Sequence, residues 1–222
     1  MAVDVSDHYL GEKGRVYFAV QSLYADINGA IEARKFAPFV TRDSCVIDFG
    51  CGTGSTLANL RCARRIGIEV NPVAQRATIA RGIDCYPESG CLPPQIADFV
   101  ISNHALEHVL YPLQVLKDFR RLLKIGGQLL LVLPIDDWRT QRFFDEEDIH
   151  HHLYTWTPQL IGNCLVEAGF KAENISARVL TSAWFPGYRR AFMSLPDPIF
   201  ALGCKTFSVL RKRRQLMATA QA

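Results

Sequence analysis

The sequence predicts an α/β fold: a doubly wound seven-stranded sheet, mostly parallel with an antiparallel C-terminal strand, and a helical N-terminal cap. Three observations carry this. An apolar run, Val46 to Phe49, breaks into glycines at Gly50, Gly52 and Gly54 and leads straight into a helical stretch. Short apolar runs then alternate with amphipathic segments, which implies parallel pairing through right-handed crossovers. A last helical stretch and strand follow the sixth strand, which fits an antiparallel insertion.

Each element has its own signal. Tyr17 to Val40 has apolar residues at helical spacing and ends near Pro38, so residues 1–43 read as the cap. Residues 44–222 read as the core, the two together making a single domain. Cys45–Phe49 is the first strand, and Ser55–Ala63 a helix with Leu57 and Leu60 on one face. Ile66–Val70 is the second strand. Asn71 then suits an N-cap and Pro72 the first helical turn, with Gly82 at the end. Ile83–Tyr86 and Ala97–Ser102 are the third and fourth strands. Pro112–Ile125 is an amphipathic helix on Leu113, Leu116, Phe119, Leu122 and Leu123. Gly126 and Gly127 stop it ahead of a buried fifth strand, Gln128–Leu133. Thr157 and Pro158 open a helix that closes at Gly169. Ile175–Thr181 alternates as a strand, Ile199–Leu210 reads as helix, and Gln215–Gln221 as the terminal strand.

Composition narrows the function. The 222 residues suffice for one domain with a sizeable core and are short for two. A net charge of +3 is too small to suggest nucleic acid as a partner. Seven cysteines without a CxxC pair argue for reduced thiols in a cytoplasmic protein, against a disulfide framework and against a zinc site. The acidic N-terminal stretch has no long apolar core, so no secretory signal is expected. The longest apolar run, Leu122 to Pro134, is broken by Lys124, Gly126, Gly127 and Gln128 and is not expected to span a bilayer.

Five stretches together carry a family resemblance: VIDFGCGTG at 46–54, GIEVNP at 67–72, ADFVISNHALEHV at 97–109, LKDFRRLLKIGGQLLLVLP at 116–134, and HLYTWTP to EAGF between 152 and 170. In this order and spacing the chain resembles the class I S-adenosylmethionine-dependent methyltransferases, with their Rossmann-like fold. Within them it is similar to the small bacterial enzymes of the methyltransferase-11 and -23 type, which act on ubiquinone precursors and natural products. The HHLYTWTP stretch is similar to members linked to polysaccharide or cell-surface glycan pathways.

The resemblance implies S-adenosyl-L-methionine as cofactor and assigns residues to it. Gly50, Cys51, Gly52 and Gly54 form the turn that lets the cofactor approach the backbone. Asp48 orders that turn or the cofactor's ammonium group. Glu69, at the end of the second strand, accepts hydrogen bonds from the ribose hydroxyls, with Val70 and Asn71 beside it and Ile68 against the purine. Glu88 and Ser89, with the Cys91–Leu92 backbone, are candidates for the adenine slot, although the usual Asp-x-Leu is absent here. Asn103 ends the fourth strand beside the expected methyl. A nicotinamide dinucleotide is disfavoured: the glycine register departs from GxGxxG, and the acid follows at too short an interval.

For chemistry the candidates are histidines, since a hydroxyl acceptor benefits from a base titrating near neutrality. His152 is favoured, His151 second, and His104 faces the methyl pocket; a helix-capping role for the triplet at 150–152 weighs equally. Glu107 and His108 read as structural. No required metal is expected, because the acids Asp145 to Asp148 cannot all face one ion and charge runs are usually solvated. Tyr9, Arg15, Tyr17, Trp138, Arg139, Tyr154 and Trp156 could frame an aromatic and basic pocket for a small-molecule or glycan acceptor. Arg189, Arg190, the apolar stretch Ile199–Leu210 and Arg211–Arg214 suggest peripheral membrane contact, against the alternative of a helix packed on the sheet. The reading is methyl transfer, at oxygen. The alternatives are N- or C-methylation of a quinone-like or secondary metabolite, and a non-catalytic S-adenosylmethionine-binding protein.

Overall fold

In the computed structural model, which describes residues 6–136 and 142–222, seven strands form one sheet. In chain order they are β1 (Cys45–Phe49), β2 (Arg64–Ile68), β3 (Asp84–Tyr86), β4 (Ala97–Asn103), β5 (Leu123–Ile135), β6 (Ile175–Leu180) and β7 (Arg214–Gln221). They lie in the order β3-β2-β1-β4-β5-β7-β6. β1 to β5 pair in parallel, whereas β7 enters between β5 and β6 and runs antiparallel to both. The expected sheet is thus found, with the late strand as the antiparallel insertion.

The helices are α1 (Gly11–Ser22), α2 (Ala25–Phe36), α3 (Ser55–Ala58), α4 (Pro72–Ala80), α5 (Pro112–Leu122), α6 (Pro158–Glu167), α7 (Tyr188–Ser194) and α8 (Asp197–Arg211). Burial explains the doubly wound arrangement. Ile47 and Phe49 of β1, with Leu129, Leu131 and Leu133 of β5, face Leu116, Phe119 and Leu165 from α5 and α6. The intervening Val46, Leu130 and Val132 face Phe36, Leu57 and Leu60 on the other side. A sheet covered on both faces needs near-continuous apolar strands, which is how β1 and β5 read.

Several boundaries differ from the sequence expectation, each for a local reason. The N-terminal helix is two helices, because Tyr24 takes a non-helical conformation between them. α1 begins earlier than expected; it buries only Gly14 and so carries no apolar stripe to read. α3 is one turn rather than a helix to Ala63. The Arg65 guanidinium takes the carbonyls of Leu57 and Leu60, and the Asn59 side chain takes that of Ser55. β2 stops at Ile68, so Glu69 stands just beyond the strand. α5 ends at Leu122, because Leu123 is already extended and pairs with Ala97. α7 was not anticipated; Tyr188 at its start stacks on Trp184 and donates to Asn28. The caps at Asn71 and Thr157 are as expected, each side chain accepting backbone N–H groups of the helix it opens.

Candidate active site

The parallel strands end together. Phe49 of β1 pairs with Ile68 of β2 and Ser102 of β4, and β5 ends at Ile135. Past these ends lies a cavity of about 1030 Å³, the place where open α/β sheets take ligands. Tyr17 and Phe18 of α1 and Asn28 and Glu32 of α2 close it from above.

The glycine turn forms one wall. Gly50, Gly52 and Gly54 all have left-handed backbones, with φ of 72°, 56° and 71°, a conformation costly for any residue bearing a Cβ. Their surroundings differ. A Cβ on Gly50 would come within 2.4 Å of Ala105, and one on Gly54 would press on Thr78 behind the turn. A Cβ on Gly52 would meet nothing within 4 Å, so the turn is open to the cavity there. Gly50 and Gly52 line the cavity together with Cys51, Asp48, Ile68, Val70 and Asn103.

Glu69 braces this wall. One carboxylate oxygen accepts the N–H of Gly52 and the other that of Asn71, each at 2.9 Å. Burial raises its pKa, although those backbone N–H groups pull the other way. Each oxygen keeps a further acceptor site. Asp48 is 3 % exposed, and burial, with the Glu69 charge nearby, pushes its pKa well up. Asn71 is fully engaged: Oδ1 accepts from Val73 and Ala74, and Nδ2 donates to Gly14 and Tyr9 carbonyls, tying α1 to α4. The amide oxygen of Asn103 is buried without a hydrogen-bond partner among the described residues. An open cradle at Gly52, a bidentate acceptor at Glu69 and an unpartnered amide at Asn103 fit a nucleoside carrying an amino-acid chain.

Histidines form the opposite wall. His152 Nδ1 lies 3.0 Å from the Asp136 carboxylate. Burial disfavours its imidazolium, but Asp136, with Glu107 and Asp148, outweighs this and raises its pKa. His108 lies 2.6 Å through Nδ1 from the Tyr9 hydroxyl, and burial lowers its pKa to about 4. His104 lines the cavity in a left-handed conformation, φ 53°, with Nδ1 3.4 Å from Glu107. Glu107 is fully buried, and among the described residues neither carboxylate oxygen has a hydrogen-bond partner.

Other candidates lie elsewhere. His151 stacks on His8 at 4.7 Å, with its ring outside the cavity lining. Glu88 and Ser89 do not line the cavity either; Arg121 holds their loop through the carbonyls of Ser89 and Leu92. Gly54 packs behind the turn. Of the aromatic and basic set, Tyr9 and Tyr17 reach the cavity, Arg15 pairs with Glu12 on the surface, and Trp156 is core. Tyr154 bonds the Leu110 carbonyl. Trp138 and Arg139 lie outside the described residues. The acids Asp145 to Asp148 are exposed. Sequence reasoning did not single out Asp136, which follows β5 with no motif around it; Glu107 and His108, read as structural, are both buried.

A sequence family described as a methyltransferase domain matches residues 27–175. No curated protein matches the chain in sequence. Among solved structures, an S-adenosylmethionine-dependent methyltransferase from Thermotoga maritima is similar at a TM-score of 0.65 and 17 % identity, over 93 % of this chain and 96 % of that one. A Haemonchus contortus phosphoethanolamine N-methyltransferase in complex with S-adenosyl-L-methionine gives 0.63 and 12 %, over 97 % of this chain and 59 % of its own. The cyclase SpnF gives 0.66 and 16 %, over 100 % and 98 %.

Proposed function

The chain belongs to the methyltransferase-domain family, and from that premise we propose that it methylates an oxygen atom of a small molecule or saccharide, using S-adenosyl-L-methionine. The cofactor supplies a methyl group on a positively charged sulfur, which leaves as a neutral thioether. The protein's work is therefore to align an acceptor, exclude water and take up a proton. In this reading Gly50, Cys51 and Gly52 receive the cofactor's amino-acid end, with Asp48 behind them. Glu69 accepts the ribose hydroxyls, and Val70 and Asn103 border the site.

The observation that carries the oxygen assignment is the Asp136–His152 pair, 3.0 Å apart on the cavity wall. A hydroxyl acceptor has a proton to lose. With Nδ1 oriented by Asp136, His152 offers Nε2 to it, and the carboxylate favours the imidazolium that results. His104 flanks the same space. The test is a panel of hydroxyl, amine and carbon acceptors assayed for S-adenosylhomocysteine release. Turnover confined to amines or carbon nucleophiles would refute the oxygen assignment.

A reading from another class, an S-adenosylmethionine-binding protein that transfers no methyl group, has support in the likeness to SpnF, a cyclase on this same fold. Cofactor binding without S-adenosylhomocysteine release across that panel would favour it.

The acceptor's setting has a further clue. α8 buries Phe200, Cys204 and Ser208, as a packed helix should, yet exposes Ile199, Leu202, Val209 and Leu210. Arg211 to Arg214 follow at the cavity rim. That pairing supports contact with an anionic lipid surface. No described helix is long and apolar enough to cross a membrane. Cosedimentation with anionic but not neutral vesicles is expected; equal recovery with both would remove the contact.

A further inference from the structure

We propose that Glu107, His108 and His152 bind one divalent transition-metal ion at the acceptor side of the cavity. One ligand atom from each of the three residues lies within 4.8 Å of the others. The Glu107 carboxylate is 0 % exposed and, among the described residues, has no hydrogen-bond partner on either oxygen. His104 Nδ1 stands 3.4 Å from Oε1 without forming a hydrogen bond; a buried carboxylate so weakly paired is costly, and a cation is one of the few things that offsets it.

The hydrogen bonds around the two rings fix which nitrogen of each neutral ring carries the lone pair. The Tyr9 hydroxyl has one proton, and it donates that proton to the His150 carbonyl at 2.6 Å. It must therefore accept from His108, whose Nδ1 stands 2.6 Å away and so carries the hydrogen. His108 Nε2 is left with its lone pair, 3.9 Å from Glu107 Oε1. With Nδ1–H pointed at Asp136, the neutral His152 ring carries its lone pair on Nε2. In their neutral forms the two rings each bring a lone pair to the cluster with the carboxylate. That arrangement is repulsive when empty and attractive around a cation. Ring nitrogens braced by an oxygen on the far side are the usual support of metal-bound histidines.

Two nitrogens and one oxygen suit manganese, iron, cobalt or zinc better than magnesium or calcium. Bonds of about 2.0–2.2 Å set the ligand atoms about 3.4 Å apart around a tetrahedral ion, so atoms up to 4.8 Å apart must draw together by as much as about 1.4 Å. His108 and His152 line the cavity, so the ion's remaining positions face it and suit an acceptor oxygen. This rests on the oxygen-transfer reading only for what those positions meet, and it changes one role there: with the ion bound, His152 Nε2 is a ligand and no longer the base. None of the acids at 145–148 takes part, and the arrangement departs from the expectation of a metal-free site.

The experiment uses the full chain, stripped with chelator and titrated with Mn²⁺ by electron paramagnetic resonance and with Co²⁺ by visible absorption. We expect one ion per chain. Glu107→Gln and His152→Gln should abolish uptake, with folding checked by circular dichroism. Should Glu107→Gln fail to fold, the outer partners decide: Tyr9→Phe and Asp136→Asn should each weaken Co²⁺ binding by about ten- to a hundredfold. A folded native chain that takes up neither ion, as a cluster sharing a proton would behave, overturns the proposal. So do folded ligand variants that bind as the native chain does. Calorimetry with S-adenosylmethionine on the same samples separates the two readings. Cofactor binding without ion uptake defeats only the metal site, and ion uptake without cofactor binding defeats only the transferase reading.

Discussion

The carboxylate of Glu69 accepts the backbone N–H of Gly52 at 2.9 Å, so the residue assigned to the ribose also sets the shape of the turn beside it. Its other oxygen does the same for Asn71. Glu69→Ala should therefore weaken S-adenosylmethionine binding by roughly ten- to 150-fold for each charged hydrogen bond lost. Glu69→Gln, with one acceptor oxygen in place of two, should fall between. Titration calorimetry reads this directly, and native affinity in the alanine variant would remove the ribose assignment.

Gly50 and Gly52 share a backbone conformation but not a neighbourhood. Alanine at either costs about 1–2 kcal/mol in the left-handed region, or a few degrees of melting temperature. At Gly50 the Ala105 side chain adds a clash, so that variant should melt lower. Gly52→Ala should fold well yet lose cofactor affinity, because its Cβ would occupy open cavity. A melting curve and a binding isotherm for each variant separate fold from site; unaltered affinity in Gly52→Ala would place the cofactor elsewhere.

His152→Ala should lower turnover by about a hundredfold or more, with cofactor affinity nearly unchanged. Asp136→Asn should lower it less, since the ring stays but its orientation and charge support weaken. Full activity in His152→Ala would exclude it from the chemistry.

Asp98 ties β4 to its neighbours: Oδ2 accepts the Cys45 N–H at 2.8 Å, and Lys124 reaches both oxygens. Burial works to raise its pKa, but these partners prevail and it lies below the usual value of 3.8. A folded-state pKa depressed in this way adds stability above the unfolded value, which is lost as pH falls through the folded one. Asp98→Asn should cost about 1 kcal/mol or less near neutrality, since the pair is partly in water. The gap should close below about pH 4. Urea melts at several pH values test this; a gap that persists in acid would contradict it.

What could be read from residues was local. The turn at Gly50–Gly54 was legible because only glycine tolerates its conformation. The Asn71 and Thr157 caps were legible because short polar side chains before a proline have few other uses. The strands of β1 and β5 were legible because a sheet covered on both faces leaves them uniformly apolar. Glu69 could be picked out by its place after a strand in a known pattern. Helices without a buried stripe, such as α1 and α7, left no such trace.

The acceptor side belonged to tertiary structure. His108 and Glu107 follow β4, Asp136 follows β5, His152 lies beyond it, and Tyr9 precedes α1; no spacing in the chain relates them. Parallel strands end side by side only once the crossovers are made, and that puts Asp136 behind His152 and Tyr9 behind His108. Burial then leaves the Glu107 carboxylate without a hydrogen-bond partner among the described residues. Sequence thus determined the fold and the glycine turn, because backbone conformation and apolar pattern are local properties. Only the folded chain decided how these histidines are held, because that depends on contacts between segments about a hundred residues apart, such as Tyr9 and His108.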